Sequence, residues 1–283
     1  MITNLKQMAT FGIAGNFTGH LEQAGEAKDF VNVKTAEQNA PKGIFPTYIP
    51  YINNNIPSFL NQFPFSDKTI IFPQNEENLQ IEPECAIIYN VQWNENTIES
   101  ITPLAFGASN DCSIRKDGAT KISQKKNWGP NSKGLSENLI SIDKFSEEGI
   151  INDYKIACFL IRDNKIFTYG ETSFIKDYSY IYQKLNNWII EKLNTQKDSD
   201  PLENLNLYLT TENKPSQIMI SIGATRYTDF GKNNFLKQGD KAVVILYPHK
   251  KYTSEQITKI VSEKDFSNTD ISLLYQEVII SSQ

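Results

Sequence analysis

Residues 79–91, LQIEPECAIIYNV, constrain the fold of this chain more than any other stretch. The run is apolar and strand-like, and inside it Glu82 and Glu84 sit two residues apart. Side chains alternate in direction along a strand, so both carboxylates point to one face. Placing two like charges side by side is costly unless a cation meets them. Paired carboxylates leaving one face of a sheet make an oxygen site suited to a hard divalent ion such as magnesium or calcium. An edge strand with a solvated acidic face has the same pattern, so the pair alone does not decide between the two.

With 283 residues and 39% hydrophobic content, the chain can bury a sizeable core as one large domain or two unequal ones. Its 28 basic and 33 acidic residues leave a net charge of -5, with no basic block longer than Lys-Lys, so there is no electrostatic footprint for nucleic acid. The longest apolar runs are of strand length, and the N-terminal MITNLKQMATF lacks a cationic region followed by an apolar signal core. The expectation is a cytoplasmic protein without membrane attachment. Cys85, Cys112 and Cys158 are odd in number and widely spaced, which suits neither a disulfide framework nor a zinc pattern. They are expected to be buried thiols. His20 and His249 are the only histidines, so metal chemistry falls to carboxylates, with a Cys-His pair as the nucleophilic alternative.

Taken in order, TFGIAG at 10–15 reads as a strand ending in a glycine turn, and 19–30 as a helix with His20 near its start. The glycines at 12, 15 and 19 do not have dinucleotide-binding spacing. His20 is a candidate general base, or else a capping or surface residue. Residues 39–65 are crowded with prolines and aromatics and read as irregular, either a lid or a packed surface loop. Strands follow at KTIIF, through 79–93 and on to ITPLAFGASND, and DYKIACFLIR and KIFTYG form a hairpin about Asp163-Asn164. Apolar or aromatic residues at Ile181, Leu185, Trp188 and Ile189 mark an amphipathic helix within 175–193. Beyond it the pattern predicts strands at 205–211, 218–222 and 241–247, a helix at 254–263 and a last strand at 273–280. Strands outnumber helices without strict alternation, which points to an α+β, β-rich mixed-sheet fold. An N-terminal segment, 1–67, carries the histidine helix and the proline-rich loop, and 68–283 form the main β-rich domain, the two making one compact unit.

Asp111 ends an apolar run, and Arg115 follows four residues later in GASNDCSIRK. QKKNWGPNSKGLS lacks the spacing of a phosphate loop, but its Lys126 can balance the carboxylates or polarise a substrate carbonyl.

EPECAIIYNV, SNDCSIRK, QKKNW, RDNKIFTYGETSFI, QIMISIGATRYTDFG and FLKQGDKAVV occur in an order that resembles the fumarylacetoacetate hydrolase superfamily, and GNFTGHLEQAG is similar to its N-Y-x-x-H block. The resemblance covers most of residues 10–247. It implies a fold of that family's C-terminal-domain type, with Glu82, Glu84 and Asp111 as ligands of Mg2+ (or Mn2+ or Ca2+). It further implies that Lys126 holds a substrate oxygen, that Arg115 and Thr225 contact substrate, and that His20 is the base at the mouth of the site. Members of the family are often dimers, so a homodimer is expected.

The chain departs from the family pattern in places. Gln23 stands where the family has a Glu, with Glu22 one residue early, so a displaced His20–Glu22 dyad is expected. Gly223-Ala224 replaces a Gly-Thr, with Thr225 displaced by one, and residues 248–283 have no counterpart. The implied activity is that of a metal-dependent hydrolase or lyase of a small 2-oxo acid or 1,3-dicarbonyl, acting through an enolate. The competing reading is a non-catalytic ligand-binding or scaffold relative.

Overall fold

A computed structural model describes residues 2–210 and 214–280. Two β-sheets dominate it. The larger has seven strands in the order β2 (Gly43–Tyr48), β1 (Ala9–Ala14), β12 (Gln217–Ser221), β5 (Pro83–Asn94), β6 (Thr97–Asn110), β8 (Gly134–Leu135), with β9 (Ile140–Ser141) also on β6. Within it β1 and β12 run parallel and every other pair is antiparallel. The smaller sheet has five strands in the order β11 (Lys165–Phe174), β10 (Tyr154–Arg162), β13 (Lys241–Pro248), β14 (Ser272–Ile280), β3 (Thr69–Phe72), with β14 and β3 parallel. A short pair, β4 (Leu79–Gln80) and β7 (Ser113–Ile114), lies outside both.

The sheets meet where β6 lies against β13 and β14. Cys85, Ile87 and Tyr89 of β5 join the main core, while Ala86 and Ile88 pack on the opposite face with Met8 and Met219. Both faces of β5 are therefore covered from Cys85 to Tyr89, which is why that stretch is continuously apolar. In β13, Ala242, Val244 and Leu246 face the main core, whereas Val243, Ile245 and Tyr247 face Ile257 and Val261 of α5 (Ser254–Glu263). Truncating a fully buried side chain such as Ile87 to alanine costs about 2–5 kcal/mol.

Several elements differ from the sequence-based expectation. The helix expected over 19–30 is one turn, α1 (His20–Gln23), followed by a 3-10 turn at Ala27–Phe30. Gly19 and Gly25 have φ of +86° and +72°, and a left-handed residue cannot continue a right-handed helix. The proline-rich stretch contains β2, which takes Pro46 into the edge of the larger sheet. An edge strand tolerates the missing N–H. The strand expected over 205–211 is a helix, α3 (Leu205–Leu209), with Thr211 outside the described residues. The Asn204 side chain caps it by accepting the Leu207 N–H. A fourth helix, α4 (Asp229–Asn233), was not anticipated.

Elsewhere the two agree. α2 (Tyr182–Thr195) buries Leu185, Trp188, Ile189 and Leu193, and α5 spans 254–263 as expected. Asp163 and Asn164 both take positive φ in the β10–β11 turn, as a two-residue hairpin of the favoured twist requires. The three cysteines are free and buried. Among the described residues no helix is long and apolar enough to cross a membrane.

Candidate active site

The site forms at one end of the β5–β6 hairpin. Pro83 at the start of β5 pairs with Asn110 at the end of β6. One step further out the Asp111 N–H donates to the Glu82 carbonyl at 3.0 Å, and Asn110 Oδ1 accepts the Glu82 N–H at 3.1 Å. This register brings the two strand ends together and with them Glu82, Glu84 and Asp111, each offering a carboxylate oxygen within 4.8 Å of the others, all buried. The last strand braces the arrangement. Gln276 of β14 accepts from Asn110 Nδ2 at 3.0 Å and donates to the carbonyls of Lys133 at 3.1 Å and Ser66 at 2.9 Å.

Cations surround two of the three carboxylates. Lys126 Nζ lies 2.5 Å from Glu82 Oε2 and 2.8 Å from Asp111 Oδ2, over the Phe45 ring at 5.1 Å. Lys133 Nζ is 3.0 Å from Asp111 Oδ1 and donates to the Cys112 carbonyl. Lys126 thus shares the cluster with Lys133, which reaches it because β8 follows it along the edge of β6. Lys125 turns away to Asp29 at 2.7 Å. Arg115 is fully engaged, with Nη2 2.7 Å from Glu82 Oε1, Nη1 2.7 Å from Glu26 Oε1, Nε donating to Gln80 at 2.7 Å and Nη2 to the Tyr227 hydroxyl at 2.9 Å.

Glu84 differs from its neighbours. Among the described residues it has no ion pair, and its Oε2 accepts the Gly223 N–H at 2.8 Å. Gly223 has φ +118°, and a Cβ there would meet Asn16 Cβ at 3.1 Å, so glycine is what lets this backbone reach the carboxylate.

These environments push the carboxyls apart. Burial and the neighbouring Asp111 and Glu82 carboxylates raise Glu84 well above the usual range. Burial also acts to raise Glu82, but the Lys126 and Arg115 charges outweigh it and hold Glu82 far below that range. Lys126 is raised despite its burial, by Asp111 and Glu82, so it stays an ammonium.

His20 Nδ1 lies 2.9 Å from the Thr225 carbonyl. A carbonyl only accepts, so Nδ1 carries the proton and Nε2 presents its lone pair on the side of Glu82 Oε1, 4.0 Å away. Burial lowers the His20 pKa, which keeps the ring neutral. The expected dyad does not form, since Glu22 is exposed on the outer side of α1. The buried glutamate of this segment is Glu26, turned inward after the left-handed Gly25 and tied to Arg115. Thr225 Oγ1 is buried with no hydrogen-bond partner among the described residues. His20, Glu26, Phe45, Glu82, Glu84 and Lys126 line a cavity of only about 10 Å³. Glu26, Lys133, Gln80 and Tyr227 are brought here by tertiary contacts rather than by local spacing.

The donor set fits a hard dication. Both Asp111 oxygens and Glu82 Oε1 are buried, each met by one ammonium or guanidinium at 2.7–3.0 Å, and a carboxylate oxygen with one such partner has a second lone pair to offer an ion. Oxygens up to 4.8 Å apart can share an ion at metal–oxygen distances of about 2.0–2.6 Å.

A family model matches residues 26–278, its description being a family of unknown function, DUF5718. The chain belongs to this family. Comparison with curated proteins finds no match. Solved structures resemble it across nearly its full length. One is a 2-keto-3-deoxy-D-arabinonate dehydratase complexed with magnesium and 2,5-dioxopentanoate, at 14% identity and TM-score 0.56, with 98% of this chain and 75% of that one covered. Another is a 5-carboxymethyl-2-hydroxymuconate delta-isomerase from Mycobacterium smegmatis, at 13% identity and TM-score 0.54, with 99% and 81% covered. A third, from Yersinia pestis CO92, is described as a fumarylacetoacetate hydrolase family protein, at 10% identity and TM-score 0.54, with 98% and 96% covered. At these identities the likeness carries the fold: this DUF5718 member has the β-rich α+β fold of fumarylacetoacetate hydrolase-type proteins.

Proposed function

We propose that the chain is a divergent member of the fumarylacetoacetate hydrolase superfamily, a divalent-metal-dependent hydrolase or lyase of a small 2-oxo acid or 1,3-dicarbonyl. The observation that carries this reading is the convergence of Glu82, Glu84 and Asp111, buried and within 4.8 Å of one another, at the end of one hairpin. The likeness to a dehydratase that holds magnesium and a dioxo acid supports it.

Glu82, Glu84 and Asp111 would hold the ion, Mg2+ or Mn2+. When bound, such an ion supplies a Lewis acid that two substrate oxygens can chelate and that favours an enolate over the keto form. Lys126, held as an ammonium at the same cluster, adds positive charge where the enolate oxygen develops. His20 takes a proton at Nε2, from water in a hydrolysis or from carbon in an elimination, while the Thr225 carbonyl fixes its tautomer. The free Thr225 hydroxyl is available to donate to a substrate oxygen. Arg115 has four partners already and acts by orienting Glu82 and Glu26.

The test is turnover of a panel of 2-oxo acids and acylpyruvates with Mg2+ or Mn2+, alongside calorimetric metal binding. Lys126→Met and His20→Ala should abolish turnover, with metal binding retained in His20→Ala. A second reading, a non-catalytic ligand-binding relative, is favoured by the backbone carbonyl that replaces a carboxylate at His20 Nδ1. Metal-dependent oxalate binding without turnover of any panel member would select it.

A further inference from the structure

Lys126 follows a one-turn 3-10 helix, Ile122–Lys125, whose entry is tied at three successive residues to the loop between α2 and α3. Lys121 Nζ donates to the Leu202 carbonyl at 2.8 Å and meets Asp198 and Asp200 at 2.9 and 2.8 Å. The Ile122 N–H donates to the Pro201 carbonyl at 3.1 Å. The Ser123 hydroxyl donates to Glu203 Oε1. The loop is itself anchored on β2. Leu202 packs against Gly43 and clusters with Phe45 and Ile122, and Gln196 bonds both the Ile44 backbone and the Glu203 carbonyl.

Ser123 is where this loop reaches Lys126. Its carbonyl accepts the Lys126 N–H at 3.1 Å and the Asn127 N–H at 3.2 Å. One residue therefore joins Glu203 through its side chain and the Lys126 backbone through its carbonyl. From that anchor the Lys126 side chain extends over the Phe45 ring to Glu82 and Asp111. Glu203 and Ser123 are buried, and neither lines the carboxylate cavity.

Packing alone does not call for a carboxyl at 203. Its Oε2 is buried with no hydrogen-bond partner among the described residues. The ionisable groups that face it are Lys121, Asp198 and the Tyr208 phenol of α3. Lys121 already serves Asp198 and Asp200, so an ionised Glu203 leaves one buried oxygen unmet, which is costly. Burial accordingly pushes the Glu203 carboxyl up to about 7.

We infer that Glu203 is a positioning residue for Lys126, acting through Ser123 and touching no substrate atom. Seated and uncharged, it holds the Ser123 carbonyl under the Lys126 and Asn127 amides. Once ionised it gains by moving toward Lys121 and water, which frees Ser123 and lets the Lys126 backbone drift from the cluster. The role of Lys126 at a substrate oxygen rests on the metal-dependent reading above, whereas its link to Glu203 stands on these hydrogen bonds.

Calorimetry of the full chain with Mg2+ and oxalate tests this at pH 6 and pH 8.5, with Glu203→Gln as a variant that stays neutral. Glu84 and His20 are the same in both proteins, so the ratio of their oxalate affinities isolates Glu203. That ratio should be near one at pH 6 and roughly fivefold or more in favour of the variant at pH 8.5. Ser123→Ala removes the link and leaves the carboxyl, so it should bind oxalate roughly fivefold or more below wild type already at pH 6. A second readout follows the backbone. Hydrogen exchange at the Lys126 and Asn127 amides, corrected for its intrinsic pH dependence, should lose protection from pH 6 to 8.5 in wild type and keep it in Glu203→Gln. A Glu203 that serves stability alone would shift the unfolding midpoint and leave the oxalate ratio at one. A ratio of one at both pH values, or an undiminished Ser123→Ala, overturns the inference. Should oxalate fail to bind wild type with Mg2+, the metal-dependent reading falls, and hydrogen exchange alone decides: protection lost only in wild type upholds the link, and equal protection in both proteins overturns it.

Discussion

The two ends of the β5–β6 hairpin share one ladder of backbone hydrogen bonds and hold opposite contents. At the turn end Gln92, Asn94 and Glu99 are exposed, and Gln92 Nε2 meets Glu99 Oε2 at 3.0 Å beside bulk water. At the other end Glu82, Glu84 and Asp111 are 1–2% exposed, with Lys126, Lys133 and Arg115 closing around Glu82 and Asp111. Water can replace any partner at the turn end. Nothing replaces one at the buried end, where each charge depends on a specific opposite charge and removing one strands another.

Asp111→Ala should therefore give the largest loss, about 3–5 kcal/mol in urea unfolding, because Lys133 loses its carboxylate and Lys126 loses one of two. Glu99→Ala at the turn end should leave the urea midpoint unchanged. Similar effects from the two would break the contrast.

A smaller effect comes from Glu203, buried beside the segment that leads to Lys126 and bonded to Ser123. Burial pushes its carboxyl up to about 7 from an ordinary 4.5. Between those values the folded chain keeps a proton that the unfolded chain has released. Its contribution is complete below pH 4.5 and is lost as pH rises through about 7, some ~3 kcal/mol in all. Glu203→Gln should flatten that slope in unfolding curves taken from pH 4 to 8.

Mg2+ at a hundred times its Kd should add about 2.7 kcal/mol to the wild type. Asp111→Ala should forfeit most of that gain, read as the shift in thermal midpoint with added ion, and an equal shift in both proteins would count against Asp111 as a ligand. The smallest change at the buried end is expected from Gly223→Ala, about 1–2 kcal/mol, since a left-handed φ and the Asn16 side chain both oppose a methyl group. Thermal unfolding measures it, and a neutral result would mean that the backbone donor to Glu84 needs no special conformation.

Contrast within the chain also explains what was legible in the sequence. β5 and β6 were readable because their apolar runs are long and their pairing follows from chain proximity. The carboxylates Glu82, Glu84 and Asp111 are legible as a group since the first two sit two residues apart at the start of one apolar strand and the third follows the end of the next. α3 was misread because LNLYL alternates like a strand, while the burial of Leu205, Tyr208 and Leu209 has the spacing of a helix face. The histidine segment departs from a helix at Gly25, whose left-handed turn delivers Glu26 to the site instead of Glu22. Lys133 carried no local signal, since its route to Asp111 depends on the pairing of β8 with β6.

Gln276 holds a consequence for how the protein comes into being. Its side chain joins Asn110 to the backbone of Lys133 and Ser66, yet it sits in the last strand of the described chain. A chain emerging from the ribosome has produced every charged group of the cluster long before it produces this amide. Until β14 inserts between β13 and β3, two lysines, an arginine and three carboxylates have no shared clasp. The clasp forms only after the groups it holds, and a chain stopped short of β14 would have the β5–β6 hairpin and its carboxylates without the amide that ties Asn110 to Lys133 and Ser66.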